Sequence, residues 1–205
     1  MKYWNLLILI LCMTALSFAA DIKFDYTWKS PEAQPVAFAG KKVAVVVIST
    51  DRAGRRAVED KMAKEITRRG VEGLAASEII SEMDLKIPEV AKEKFKEAGV
   101  AGAMVIRATP KGGEPVDPNM WKDPMYKDVW GFTSKSWSET SSQSKKDVKF
   151  RVEIAIYSLE QDQLIWIGTT EMKSSKLVEF MQGVIDEIAE EMQKEGLLAN
   201  RPKIN

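Results

Sequence analysis

KVAVVVIST, residues Lys42 to Thr50, is a short and almost continuously apolar run, rich in Val and Ile. Lys41 and Lys42 open it, and the polar turn Thr50-Asp51-Arg52-Ala53-Gly54 closes it. A strand that alternates apolar and polar residues has one dry face. A strand apolar at every position has two, and so sits inside a sheet covered by helices on both sides. This run therefore predicts the central strand of an α/β domain.

The sequence on its carboxyl side supplies such cover. From Arg55 to Arg69, Val58, Met62 and Ile66 recur every fourth residue and Ala63 widens the stripe. Glu59, Asp60, Lys61, Lys64 and Glu65 lie between them, which gives one apolar face on a charged helix. Gly70 is placed as its C-cap. Val71 to Ala76 reads as a second strand, and Ser77 to Ile87 as a connecting segment. Pro88 opens a second helix with Ala91, Phe95 and Ala98 facing inward, and Gly99 ends it. Gly102 to Thr109, GAMVIRAT, is a third strand. Strand and helix in alternation predict a parallel sheet with crossover helices.

The alternation stops at Pro110. Residues 110–147 carry Gly112, Gly113, Pro115, Pro118 and Pro124, then a Ser/Thr/Lys-rich run from Thr133 to Lys146. This predicts a long arm, of the kind that serves a function when found in a compact domain. Trp121, Tyr126, Trp130, Phe132 and Trp137 stand in it among polar neighbours, and three of the six Trp residues lie here. Aromatics that reach solvent make docking surfaces. Aromatics that fold back make a flap. The docking reading assigns partner binding to those five residues.

Beyond the arm, Val148, Phe150, Val152, Ile154 and Ile156 alternate with Lys149, Arg151, Glu153, Ala155 and Tyr157. This predicts a strand with one buried face. Glu160 to Gln163 turns the chain, and Leu164 to Met172 returns as its hairpin partner. A closing helix runs from about Lys176 to Glu195, after a Ser N-cap at Ser174 or Ser175. Leu177, Met181, Val184, Ile188 and Met192 form its core stripe. Asp186, Glu187, Glu190 and Glu191 crowd the other side, at the spacing of a solvated face rather than an acidic site.

One turn suggests small-ligand chemistry. Between the Lys42 strand and the next helix, backbone N–H groups point outward where an anion can sit. Arg52, Arg55 and Arg56 could add charge-assisted bonds to a phosphate or carboxylate. The turn has one Gly and no following Lys-Ser/Thr pair, so it is neither a GxGxxG nor a Walker loop. Anion binding is the alternative to partner docking.

Met1 to Ala20, MKYWNLLILILCMTALSFAA, has a basic start, an apolar core from Leu6 to Leu11 and small residues at Ser17 and Ala19 that fit cleavage after Ala19 or after Ala20. It reads as a cleaved signal peptide. The other readings are an uncleaved anchor and lipid attachment at Cys12, although Leu11 is large for a lipoprotein signal. Residues 21–40 then form an amino-terminal strand and linker. Ile22, Phe24, Tyr26 and Trp28 share one face of that strand, and Pro31 and Pro35 follow it. Residues 41–200 form a single α/β domain.

Composition removes whole classes of chemistry. The 205 residues include no His, and Cys12 in the leader is the only Cys. Without imidazole or thiolate, Ser-His-Asp, Cys-His and His-ligated zinc centres cannot be built. An enzyme here would work with carboxylates such as Asp51, with Lys or with Tyr, and no paired-acid spacing stands out. No cofactor motif is present. Lys+Arg and Asp+Glu each total 30. A neutral chain has no long-range field to gather nucleic acid.

Three stretches carry a resemblance: the strand-turn-helix from Lys42 ending in Arg69-Gly70, the hairpin VEIAIYSLEQDQLIWIGTTE, and the closing helix ending in KEGL. Together they are similar to a family of exported bacterial proteins, often lipoproteins. The layout also resembles the small α/β domains of the curli secretion lipoprotein and the Tol-system translocation protein. That resemblance implies binding to other envelope proteins, and it brings no active site. The sequence expectation is thus a mixed sheet of about five strands, three parallel and then an antiparallel hairpin, with a carboxyl-terminal helix across one face. Its role is that of a non-enzymatic envelope protein, periplasmic or associated with the outer membrane. It docks a protein partner through the arm. Membrane contact through the arm or an anchor, and oligomerisation, are compatible with this reading.

Overall fold

Val43 to Ile48 are each no more than 3% exposed, as a strand covered on both faces requires. They belong to β2 (Lys42–Ile48). The structure is a computed structural model describing residues 24–31, 38–110, 115–142, 150–172 and 177–199. The expected leader, Cys12 and the Ser174 or Ser175 cap lie outside the described residues.

Parallel strands flank β2 on both sides, β3 (Glu72–Ala75) on one and β4 (Val100–Thr109) on the other. β5 (Phe150–Ser158) runs antiparallel to β4, and β6 (Gln163–Met172) antiparallel to β5. β1 (Tyr26–Lys29) pairs with the outer edge of β6. The order is β1-β6-β5-β4-β2-β3. The α/β class and the mixed parallel and antiparallel sheet are present. The sheet has six strands rather than about five, because residues 26–29 extend the hairpin edge.

Two helices dry one face. α1 (Arg52–Thr67) buries Val58, Met62, Ala63 and Ile66, and α6 (Leu177–Lys194) buries Met181, Val184, Ile185, Ile188 and Met192. They pack over Val45, Val47, Met104, Ile106, Val152, Ile154 and Ile156. Arg69 joins them: its Nε donates to Glu65 Oε1 at 3.0 Å and its Nη1 to Gln193 Oε1 at 2.6 Å. Gly70, at φ 83°, lets the chain leave α1 in a conformation that side chains rarely adopt.

The other face is covered by α2 (Ala76–Ile79), α3 (Glu82–Leu85), α4 (Pro88–Glu97) and the arm. The described part of the long arm expected over residues 110–147 has regular structure. It forms two 3₁₀ turns, Met120–Lys122 and Pro124–Tyr126, and then α5 (Val129–Ser142). The Asp128 side chain starts this helix, accepting from the amides of Trp130 at 3.0 Å and Gly131 at 2.8 Å. Val129, Phe132, Thr133, Ser136 and Trp137 are all buried, and they recur at the spacing of one helical face. Burying a side chain such as Phe132 contributes roughly 1.5–3 kcal/mol, enough to outweigh the poor helix propensity of the Ser and Thr residues.

α5 also corrects the reading of β5. Arg151, Glu153 and Tyr157 alternate with apolar residues, but their face is not solvated. They are 6%, 4% and 1% exposed: Tyr126 of the arm donates to Glu153, Phe132 packs on Tyr157, and Arg151 lies beside them at the base of a cleft.

Candidate functional site

Cross-strand register places polar residues in rows on the arm side of the sheet. Arg107 of β4 stands opposite Glu153 of β5, and Glu153 opposite Thr169 of β6. The next row brings together Thr109, Arg151 and Glu171. Residues opposite each other in a sheet share a face, so the rows form a polar floor at the carboxyl end of β4.

Arg107 sits at the centre of this floor. Its Nε donates to Glu153 Oε2 at 2.8 Å and its Nη1 to Glu139 Oε2 of α5, also at 2.8 Å. Nη2 lies 2.7 Å from Glu153 Oε2 and donates to the Tyr126 hydroxyl at 3.2 Å. That hydroxyl in turn donates to Glu153 Oε2 at 3.0 Å. The guanidinium carbon lies 4.8 Å from the Phe132 ring centroid. One buried cation therefore ties sheet, 3₁₀ turn and helix together. Burial on its own would lower the Arg107 pKa, but Glu153, Tyr126 and Glu139 outweigh it and raise it. Burial, followed by the neighbouring Glu153 charge, pushes the Tyr126 hydroxyl well above the ordinary phenol range. Both groups therefore keep their protons at any physiological pH, which suits anchoring rather than proton transfer.

An open cleft of about 810 Å³ lies beside this network. Its floor is Arg107, Thr109, Arg151 and Glu153. One wall is the stretch from Pro115 to Tyr126, and Lys135 and Glu139 of α5 form another. Lys122, Lys135, Arg107 and Arg151 bring positive charge; Asp117, Asp123, Glu139 and Glu153 balance it. The cleft opens at the carboxyl end of a parallel strand. It lies one strand away from the point where the order reverses around β2, which is the region where open α/β sheets bind ligands.

The five aromatics expected to dock a partner are placed differently. Tyr126, Phe132 and Trp137 are 4%, 0% and 1% exposed and belong to the core, so their rings offer no surface. Trp137 packs between Arg55, whose guanidinium carbon is 5.4 Å from the ring centroid, and Lys86, whose Nζ is 4.8 Å away. Trp121 is half-buried and stacks on Trp28 with centroids 4.5 Å apart. Trp130, also half-buried, meets the Phe95 ring edge-on at 5.4 Å. The arm folds back because its aromatics lie on the inner face of α5 and its flanking turns.

The Arg turn is not assembled for an anion either. Asp51 caps α1, its Oδ1 accepting from the Gly54 amide at 3.0 Å, so the chain's own carboxylate occupies the helix start. Arg55 is 6% exposed and turns to Glu82 Oε2 at 3.4 Å, while Arg52 and Arg56 are exposed. The sequence reading singled out none of Arg107, Glu139, Arg151 or Glu153 as site residues. Arg107 interrupts an otherwise apolar strand, and that interruption was the available signal.

Among the described residues, no group of three or more His, Cys, Asp or Glu stands close enough to hold a metal ion. No helix among them is long and apolar enough to cross a membrane.

No known protein-family model matches the chain, and no curated protein matches it in sequence. Solved structures do match. The PelC dodecamer from Paraburkholderia phytofirmans is 12% identical, with 85% of this chain and 98% of that chain covered at a TM-score of 0.41. A single-substitution variant of the same dodecamer is also 12% identical, covering 85% and 99% at 0.42.

Proposed function

We propose that the chain is a non-enzymatic binding module of the cell envelope. Its partner site is the cleft between the arm and the strand ends of β4 and β5, not the aromatic side chains of the arm. The observation that carries this reading is the Arg107 network: Arg107, Glu153, Glu139 and Tyr126 pair with one another and hold α5 and the 3₁₀ turn against the floor. Such a network is rigid, and the charges of the whole cleft lining balance. It suits a mixed-charge segment of a protein partner, whose own acidic and basic groups pair with Lys122, Lys135, Asp117 and Asp123 at the rim. Export, a cleaved leader and the likeness to envelope-binding α/β domains belong to the same proposal.

Deleting the arm is a poor test, because Phe132 and Trp137 would leave the core with it. Charge reversal at the exposed rim is cleaner. Lys122→Glu combined with Lys135→Glu should reduce partner capture by chemical crosslinking in native cells, while thermal stability stays within error of wild type. Unchanged capture would contradict the reading. An anion at residues 51–56 remains the alternative proposal, and the exposure of Arg52 and Arg56 is all that favours it.

A further inference from the structure

β1 is a four-residue edge strand, and its pairing with β6 is antiparallel and on one side only. It sets Tyr26 opposite Thr169 and Trp28 opposite Ile167, so both side chains lie on the arm side of the sheet. The Tyr26 hydroxyl donates to the Pro118 carbonyl at 2.9 Å. Trp28 stacks on Trp121 with centroids 4.5 Å apart and an interplanar angle of 14°. Pro118 and Trp121 sit within the stretch from Pro115 to Asp123 that forms one wall of the cleft. That wall leaves β4 at Pro110 and is anchored again at Tyr126, on the Arg107 network. Between those two points, β1 supplies a hydrogen bond and a ring stack to it.

From this geometry we infer that β1 is a strap on the cleft: Tyr26 and Trp28 are positioning residues that fix the 115–123 wall and so set the width of the site. β1 has its own anchorage on the opposite face. Phe24 meets Trp166 edge-on at 5.7 Å, and Lys29 Nζ donates to the Glu195 carbonyl at 2.6 Å. The strand therefore stays docked when its grip on the wall is cut, and the wall moves without it. Linkage makes the relation reciprocal. A ligand that needs the wall displaced works against the Trp28–Trp121 stack, and whatever lifts β1 from the sheet edge changes affinity in the cleft by the same factor. This consequence rests on the cleft being the binding site, but the contact itself is tested without any ligand, so the two ideas fail separately.

The test is amide hydrogen exchange, followed by mass spectrometry, on the full chain carrying Tyr26→Phe and Trp28→Ala. Peptides covering 115–123 should exchange about tenfold faster than in wild type, as expected for the loss of a stacked aromatic pair and a hydrogen bond from a locally stable segment. Peptides from β5 and β6 should be unchanged. Thr27→Ala alters an exposed side chain on the other face of β1 and should leave every peptide at the wild-type rate. Unchanged exchange in 115–123 would overturn the inference. Faster exchange spread through β4, β5 and β6 would also overturn it, since Trp28 would then support the whole sheet rather than one wall.

Discussion

Arg107 and Glu153 face each other across neighbouring strands, both nearly excluded from solvent, with Nη2 2.7 Å from Oε2. Glu153 also accepts from Tyr126, and Arg107 also reaches Glu139, so the pair joins the sheet to its polar roof. A buried ion pair is worth little against a well-packed apolar substitute, but a buried charge left alone is costly. This asymmetry makes a prediction. Arg107→Met should destabilise the domain by about 3–5 kcal/mol in urea unfolding. Arg107→Met with Glu153→Met should cost less than the sum of the two single variants by about 1–3 kcal/mol. Additive losses would mean that the two side chains do not act as a unit.

A second buried carboxylate ties the carboxyl end of β2 to the chain leaving β3. Glu59 is 1% exposed, and its two oxygens accept from the amides of Val47 and Ser77, each at 3.0 Å. Burial pushes its pKa above the ordinary 4.5, and the hydrogen bonds from Val47 and Ser77 oppose that rise without cancelling it. Folding therefore favours the protonated form. The stabilising contribution is complete below 4.5 and is lost as pH climbs through the raised value. Glu59→Gln keeps one acceptor and removes the titration. Urea unfolding at a series of pH values from below 4.5 upward should show the wild type losing stability relative to the variant as pH rises. A constant difference across the series would refute the assignment.

At the start of α1, Asp51 does the work that a bound anion would do. Asp51→Ala should lower stability by about 1 kcal/mol, the usual cost of losing an N-cap side chain. Inorganic phosphate should not raise the melting temperature of the wild type, because Asp51 already accepts from the helix start and repels a second anion. A clear phosphate-dependent rise would restore residues 51–56 as a site.

How far the fold can be read from residues alone differs between the two faces of the sheet. β2, α1 and α6 are legible because each carries a periodic signal strong enough to outweigh its local composition: a continuous apolar run, or a stripe every third or fourth residue. α5 is harder. Its Ser, Thr and Gly residues read as loop, and the preceding Pro and Gly residues lengthen that impression. Only the positions of Val129, Phe132 and Trp137, with Asp128 ahead of them, mark a helix. The site fails to appear for a related reason. Arg151 and Glu153 alternate with apolar residues just as a solvent-facing strand would, and alternation cannot reveal that a roof covers the polar side. Arg107, Glu139 and Glu153 are 32 and 14 residues apart along the chain, and only strand register and the folded arm bring them together. Tyr26 and Trp28 share one face of an edge strand as their alternation predicts, but Phe24, expected on that face, packs against Trp166 on the other, and the contact with Pro118 and Trp121 is not legible.

The proposed partner enters the cleft beside the Arg107 network. This entry is tested most directly by placing a photo-crosslinking amino acid at single positions of the full chain in its native host. Adducts of one common partner are expected from the cleft positions Lys122 and Lys135, and none from Glu190 on the exposed side of α6. Adducts absent from both cleft positions, or equally strong from Glu190, would contradict it.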